Sequence, residues 1–190
     1  MTQAITSTDA SRDSLLMIAA GGVLSGILTP LLPGLIDRIG GVPADLRLAL
    51  VAIPFAVLVF MVVRRCSANP GWGALTAAVV TMIAFVCAVN AAIFIDGQAN
   101  GADKMMRNIL AGLAGGFTGS AIMALGIGLL PAGPRDVVAW LQMLVAGTLA
   151  GALLALDNAL GLDQTSVLYP VWQAGVAIRL AMALHRRRRA

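Results

Sequence analysis

Long stretches that carry almost no charged residue are the feature that most constrains this chain. The first of them, residues 14–36, lies between Asp13 and Asp37. A helix needs about 20 apolar residues, at about 1.5 Å each, to cross the roughly 30 Å hydrocarbon core of a bilayer. Residues 14–36 are therefore long enough to cross as one helix, which indicates an integral membrane protein.

Composition agrees with that interpretation. Hydrophobic residues make up 59% of the chain and charged residues 12%, whereas a soluble domain has about 25% charged residues. A soluble fold of 190 residues could not bury so much apolar surface. The sequence therefore predicts an all-α, polytopic transmembrane helix bundle.

Charged residues also mark where the spans end. Cutting the chain at them predicts about six spanning helices, at residues 14–36, 48–63, 72–95, 108–130, 137–156 and 167–184. The second span is short, but Arg47 and Arg64 at its ends can extend to the headgroups. Arg179 interrupts the sixth span about two turns before the arginines at 186–189, within reach of the same interface.

The spans divide the chain into three parts. Residues 1–13 form a short cytoplasmic N-terminal segment, residues 14–184 a single transmembrane helical domain, and residues 185–190 a basic cytoplasmic tail. A signal peptide would have a basic leader and a shorter apolar core. Asp9 and Asp13 outnumber Arg12 in this leader, so we expect the first span to be retained.

The distribution of Lys and Arg predicts the orientation, because these residues favour the cytoplasmic side of short loops. With the N-terminus inside, the inner segments hold Arg12, Arg64, Arg65, Arg135 and Arg186 to Arg189. The outer segments hold Arg38, Arg47, Lys104 and Arg107. Both termini are therefore predicted to be cytoplasmic, in a multi-pass protein of a bacterial inner (plasma) membrane.

The basic tail is predicted to contact the lipid bilayer or a partner protein. Anionic lipid attracts cations beside the membrane by about 1 kcal/mol each. A nucleic-acid partner is not expected, since neither a basic domain nor an aromatic platform accompanies the tail. The tail consists of four consecutive arginines, namely Arg186, Arg187, Arg188 and Arg189.

The side chains available for chemistry argue against an enzyme. The only histidine, His185, lies in the tail, so sites that need an imidazole inside the fold are excluded. Cys66 and Cys87 are 21 positions apart on one helical segment, too far to form a disulfide. We therefore expect no catalytic residue, metal site or cofactor.

All nine acidic residues are aspartates, and all fall at span ends or in loops. Pumps and ion-coupled carriers keep a carboxylate near the bilayer midplane, because an ionisable group there is costly. A carboxylate proton relay through the core is therefore not expected.

Small residues recur at helical spacing in the spans. Glycines four apart let helix backbones approach closely, which is what holds a bundle together in lipid. We expect them to pack the helices of this chain; the alternative is an interface in a homo-oligomer or with other membrane subunits. The helix-packing glycines are Gly22, Gly26, Gly112, Gly115, Gly116, Gly119, Gly147 and Gly151.

A weak internal similarity suggests a 3+3 inverted repeat. Gly21, Gly22 and the sequence Leu-Leu-Pro at 31–33 match Gly115, Gly116 and Leu-Leu-Pro at 129–131, with a spacing that differs by four residues. Inverted repeats of three helices are common among carriers. Pro30, after Thr29, is the best candidate for a helix kink.

Polar residues in the outer half of the bundle suggest a ligand vestibule, since polar side chains within spans usually face the interior or a wet cavity. Its acidic rim would suit a cation or an uncharged polar solute better than an anion. The alternative is that Asn90 and Gln173 only bond across helices. The vestibule residues are Thr29, Asn90, Asp96, Asp157 and Gln173, with Asn108 and Asn158 nearby.

Two functions remain open at this level. The first is a small transporter or channel, or a membrane subunit of a transport system, which the span number, the broken helices and the repeat favour. The second is a non-transport membrane partner: an assembly factor, a regulator or an immunity-type protein. In size and helix number the chain resembles the small substrate-binding membrane subunits of energy-coupled vitamin transporters, without a matching motif.

Overall fold

The computed structural model describes residues 2–162 and 165–189, with side chains at 13–38, 40–43, 46–162 and 165–185. All regular structure in this part of the chain is helical. The helices are α1 (Thr2–Leu28), α2 (Leu32–Ile39), α3 (Ala44–Val51), α4 (Ile53–Cys66), α5 (Gly71–Gln98), α6 (Lys104–Gly128), α7 (Val137–Gly151), α8 (Leu154–Ala159) and α9 (Leu168–Arg189).

Four helical stretches are long and apolar enough to cross a membrane. They are Asp13–Arg38, Gly71–Gln98, Lys104–Gly128 and Val137–Ala159. They correspond to the first, third, fourth and fifth predicted spans. The all-α class and these four candidate spans are therefore confirmed.

Two of these four stretches contain a break, and so does the second predicted span. A 3-10 turn at Thr29–Leu31 separates α1 from α2, where Pro30 cannot donate a backbone hydrogen bond. Ala52 separates α3 from α4, two residues before Pro54. Ala152 and Leu153 separate α7 from α8, without a proline. The second predicted span is thus two short helices rather than one.

The helices form a closed ring in which neighbours along the chain are neighbours in space. α1 contacts α4, α4 contacts α5, and the contacts continue through α6 and α7 to α9, which returns to α1. α9 also contacts α4 across the ring. Fully buried side chains fill the centre, among them Phe55, Met123, Met143 and Leu180.

The two ends of this bundle hold different loops, and the helix breaks lie toward one of them. The loops after α4 and α6 lie at one end, where the Asn69 side chain accepts a hydrogen bond from the Ala132 backbone N–H (2.8 Å). The start of α1 and the end of α9 are at this end too, and we call it the terminal end. The loops after α2, α5 and α8 lie at the opposite end. All three helix breaks are in the half of the bundle nearest the opposite end.

Glycines occupy the closest helix contacts. A Cβ atom on Gly22 would meet the Ala174 backbone, and one on Gly26 would meet the Pro170 backbone. These pairs place α1 antiparallel to α9. Similarly, Gly112 faces Gly151 and Gly116 faces Gly147 across the α6–α7 crossing. A side chain at any of these positions would require the helix backbones to separate.

The other small-residue stripe lies between α5 and α6. A Cβ atom on Gly115 would be 3.0 Å from the Ala88 carbonyl oxygen and 3.3 Å from the Ala92 methyl group. A Cβ atom on Gly119 would be 3.2 Å from the Ala88 methyl group and 3.3 Å from the Trp172 ring. The glycines selected for their spacing therefore lie in three different helix–helix interfaces, α1–α9, α6–α7 and α5–α6.

The helices extend beyond several of the boundaries expected from charge. α1 begins at Thr2, so residues 2–12 continue the first helix, and α9 continues to Arg189. α5 and α6 leave only residues 99–103 between them. Of the two segments behind the suggested repeat, the first breaks at Thr29–Leu31, whereas α6 is continuous from Lys104 to Gly128. A repeat is not evident in the fold.

Candidate functional site: a cavity between α5, α6, α8 and α9

A cavity of about 450 Å³ lies among α5, α6, α8 and α9, in the half of the bundle nearest the opposite end. Exposed residues such as Ile93 and Asn158 form part of its wall, so it communicates with the protein surface. We call it the α5–α9 cavity. Its volume falls within the 300–1,000 Å³ of small-molecule sites.

Small residues create the space. Ala88 and Ala92 lie one turn apart on one face of α5, and Gly115 of α6 packs directly against them. Gly112 and Gly116 of α6 face α7 and line the cavity together with Gly151. Because these positions carry a methyl group or only hydrogen, little side-chain bulk enters the cavity from this wall. The glycine stripe that packs α6 against its neighbours thus also shapes the cavity.

Aromatic side chains line the wall formed by α5 and α9. The Phe85 and Tyr169 rings are 6.0 Å apart between centroids and are tilted by 34°. Trp172, one turn after Tyr169, packs edge to face on Phe55 at 5.4 Å. Such pairs are worth about 0.5–1.5 kcal/mol beyond area burial, and they hold the rings in place. Our sequence analysis did not select these residues; their signal is the aromatic spacing on α9 and the alignment of Phe85 with Ala88 and Ala92.

Three polar residues lie where the cavity meets the opposite end. The Asp96 carboxylate accepts two hydrogen bonds from Arg107, from Nε at 3.1 Å and from Nη2 at 2.7 Å. Asn108 and Asn158 also line the cavity. Among the described residues, neither of these two amide side chains has a hydrogen-bond partner. Each amide therefore retains two donors and one acceptor.

Two buried polar atoms lie behind the cavity. Ser120 Oγ and Trp172 Nε1 are the buried side-chain polar atoms without a hydrogen-bond partner in the described part of the chain. Both lie beside Gly147: a Cβ atom there would overlap Ser120 and be 3.2 Å from Trp172 Nε1. An unsatisfied buried donor costs about 1–3 kcal/mol.

Two of the predicted vestibule residues lie instead in the interface between α1 and α9. Gln173 Nε2 donates to Thr29 Oγ1 at 2.9 Å, and Ser25 Oγ donates to Gln173 Oε1 at 2.6 Å. Thr29 Oγ1 donates to the Ser25 carbonyl oxygen. These buried groups satisfy one another, so they bond across helices and do not line the α5–α9 cavity.

Asp157 lies in an adjacent, smaller cavity of about 280 Å³, which shares Leu154, Asn158, Leu168 and Tyr169 with the α5–α9 cavity. Its carboxylate is nearly buried and accepts hydrogen bonds from Ser166 Oγ (2.5 Å), the Val167 N–H (2.8 Å) and the Leu168 N–H (3.3 Å). It thereby ties the end of α8 to the start of α9. Thr29 and Pro30 of the first helix break also line this smaller cavity, together with Val51 and Leu154, which flank the other two breaks.

The structure separates the remaining predicted residues. Asn90 is exposed on α5 and donates to the Val86 carbonyl oxygen of its own helix. Of the vestibule set, Asp96 alone lines the α5–α9 cavity. The side chains of Arg186, Arg187, Arg188 and Arg189 lie outside the described residues. Within the described part, no three His, Cys, Asp or Glu side chains are grouped to hold a metal ion.

Comparison of the chain with protein-family models, with curated proteins and with solved structures gives no match. The structure therefore describes an all-α protein with four helices that could span a membrane and a cavity among α5, α6, α8 and α9.

Proposed function

We propose that this chain is a small transporter, or the membrane subunit of a transport system, and that its substrate occupies the α5–α9 cavity. The observation that supports this role is a pair of amides, Asn108 and Asn158, that have no hydrogen-bond partner among the described residues and lie on a cavity that communicates with the surface. A cavity with a few convergent polar groups is typical of a binding site.

The proposal includes six spans, with α3–α4 and α9 added to the four candidate spans. Val59 and Val63 of α4, and Val176 and Leu180 of α9, have no more than a trace of exposed surface. They pack in one core with residues of the long apolar helices, such as Ala77 of α5 and Met123 of α6. A helix packed along its length against membrane-spanning helices is expected to cross the membrane with them. Arg179, near the terminal end, donates to Gln142 Oε1 on α7 at 3.2 Å.

The orientation is proposed from the positive-inside rule, with both termini in the cytoplasm of a bacterial cell. Reporter fusions after Arg65, Arg135 and Ala190 are expected to read cytoplasmic, and fusions after Ala99 and Gly161 to read exterior. This orientation directs the α5–α9 cavity toward the exterior. An exterior signal after Ala190 would contradict both the orientation and the sixth span.

Transport can be tested by comparing the solutes that accumulate in cells of the native host with and without a functional protein. Asn158→Trp is expected to cover the rim of the cavity, because residue 158 is exposed there. A deletion strain complemented with wild-type protein should then differ in at least one solute from the same strain with Asn158→Trp, measured by untargeted mass spectrometry at equal membrane abundance. Asn90→Trp, on the exposed face of α5, is the matched control and should behave as wild type.

Identical solute profiles for wild type, Asn158→Trp and the deletion strain would contradict transport. The non-transport partner role would then take its place. Co-purification in mild detergent would identify the partner, with the tail arginines at 186–189 as its first contact to test.

A further inference from the structure

The charge of the α5–α9 cavity limits what it can bind. Asp96 is the one carboxylate among the lining residues that the structure describes, and both of its oxygens already accept hydrogen bonds from Arg107. This ion pair is neutral as a unit, so it leaves no net charge for a ligand ion. Moving an ion out of water without a partner is strongly unfavourable. The cavity therefore favours an uncharged ligand.

One wall of the cavity is smooth, which favours a flat ligand. Ala88, Ala92, Gly112 and Gly115 carry no side chain longer than a methyl group, and α5 and α6 are in direct contact where Gly115 meets Ala88. A planar ring can lie flat against a smooth wall, whereas a branched or saturated molecule of equal atom number is thicker and places fewer of its atoms in contact with it.

The aromatic wall favours the same class of molecule. Phe85, Tyr169 and Trp172 all line the cavity, and partner rings hold them in place. An aromatic ligand can make offset-stacked and edge-to-face contacts with these rings, which add binding free energy beyond that of the area it buries. An aliphatic ligand would gain only the burial.

The rim supplies hydrogen bonds. Asn108 on α6 and Asn158 on α8 each present donors and an acceptor with no partner among the described residues. An amide can pair with a ring edge that carries a carbonyl or ring nitrogen beside an N–H. A pure hydrocarbon would leave these amides to water and gain nothing from them.

We propose that the α5–α9 cavity binds an uncharged, planar heteroaromatic molecule, with its ring system against Phe85, Tyr169 and Trp172 and its polar edge on Asn108 and Asn158. This ligand class rests on the proposed function and deepens it. It excludes the cation that the acidic rim had suggested from sequence, because Arg107 neutralises Asp96 and Asp157 lies in the smaller cavity.

The test is a competition among four sets of probes for the full-length protein purified in mild detergent. The neutral planar set contains quinolin-2-one, theobromine and indole-3-carboxamide. The cation is 1-methylquinolinium, the anion is quinoline-2-carboxylate, and the saturated neutral is octahydroquinolin-2-one. Affinity selection from an equimolar mixture, read by mass spectrometry, is expected to retain the neutral planar set preferentially. Preferential retention of any other set, or no retention at all, overturns the proposal.

Matched variants assign the site. Asn108→Leu and Asn158→Leu are each expected to lower retention of the neutral planar set roughly tenfold, through one or two lost hydrogen bonds. Asn90→Leu, an equal change on the exposed face of α5, is expected to retain it fully. Equal loss in all three variants, or loss in none, overturns the assignment.

A second measurement reads the aromatic wall directly. The Trp72→Phe/Trp140→Phe variant leaves Trp172 as its one tryptophan, since the chain has three. Quinolin-2-one is expected to quench or shift its emission, and octahydroquinolin-2-one to leave it unchanged. Retention of the planar set with unchanged solute profiles in cells would overturn transport but not the ligand class. Altered solute profiles with retention of charged probes would overturn the ligand class but not transport.

Discussion

Gly116→Ala is expected to destabilise the bundle by about 3 kcal/mol, although it adds one methyl group. The new Cβ atom would overlap the Gly147 carbonyl oxygen and lie 3.1 Å from the Gly151 Cα atom. Both obstacles are backbone, so neither can rotate away, and α6 and α7 must separate. The separation also removes the van der Waals contacts that hold helices together in lipid. Thermal unfolding in detergent, followed by circular dichroism, measures the loss.

Gly175→Ala is the matched control for this prediction. Gly175 lies in α9, and a Cβ atom there meets nothing within 4 Å. Alanine has a higher helix propensity than glycine, so this variant should unfold at or slightly above the wild-type midpoint. If both variants unfolded at the same midpoint, the α6–α7 crossing would not be the close contact described above.

Asp157→Ala is expected to cost about 3 kcal/mol of stability and to loosen the start of α9. The nearly buried carboxylate accepts hydrogen bonds from Ser166, Val167 and Leu168, and bonds to a charged acceptor are worth about 1.5–3 kcal/mol each. Removing the carboxylate leaves these donors without their partner. Amide hydrogen exchange at Val167 and Leu168 should accelerate, alongside a lower unfolding midpoint.

The exposed ion pair at the same end of the bundle provides the comparison. Arg47 donates to Asp37 at 2.6 Å, but the two side chains are 41% and 54% exposed. Exposed pairs contribute about 0–1 kcal/mol, so Asp37→Ala should have a much smaller effect. A loss as large as that of Asp157→Ala would mean that burial of the carboxylate is not what makes Asp157 important.

Hydropathy and charge predicted the architecture because lipid imposes strict requirements on length and polarity. Four of the six spans expected from charged boundaries are long apolar helices in the structure. The kink expected at Pro30 coincides with the 3-10 turn at Thr29–Leu31. The break at Ala52 likewise lies two residues before a proline, Pro54, whereas the break at Ala152 and Leu153 has no proline to signal it.

Glycine spacing predicted which helix faces are smooth but not which helices meet. The same four-residue pattern packs Gly22 and Gly26 of α1 against α9, and Gly112 and Gly116 of α6 against α7. Gly115 and Gly119 share α6 with the latter pair yet face α5. A single helix can offer two smooth faces, so its partners depend on the order of helices around the ring.

The sequence by itself predicted the class of protein, from apolar stretches of membrane length, charges at the ends of those stretches except for Arg179, and no histidine within the spans. Only the tertiary structure decided the site. The sequence predicts Thr29 and Gln173 as ligand groups, but in the structure Gln173 donates a hydrogen bond to Thr29 across the interface between α1 and α9. Whether a polar side chain is free depends on what lies opposite it, often more than a hundred residues away in the chain. For that reason the α5–α9 cavity, formed by Phe85, Asn108, Asn158 and Trp172, became visible only once the helices were packed.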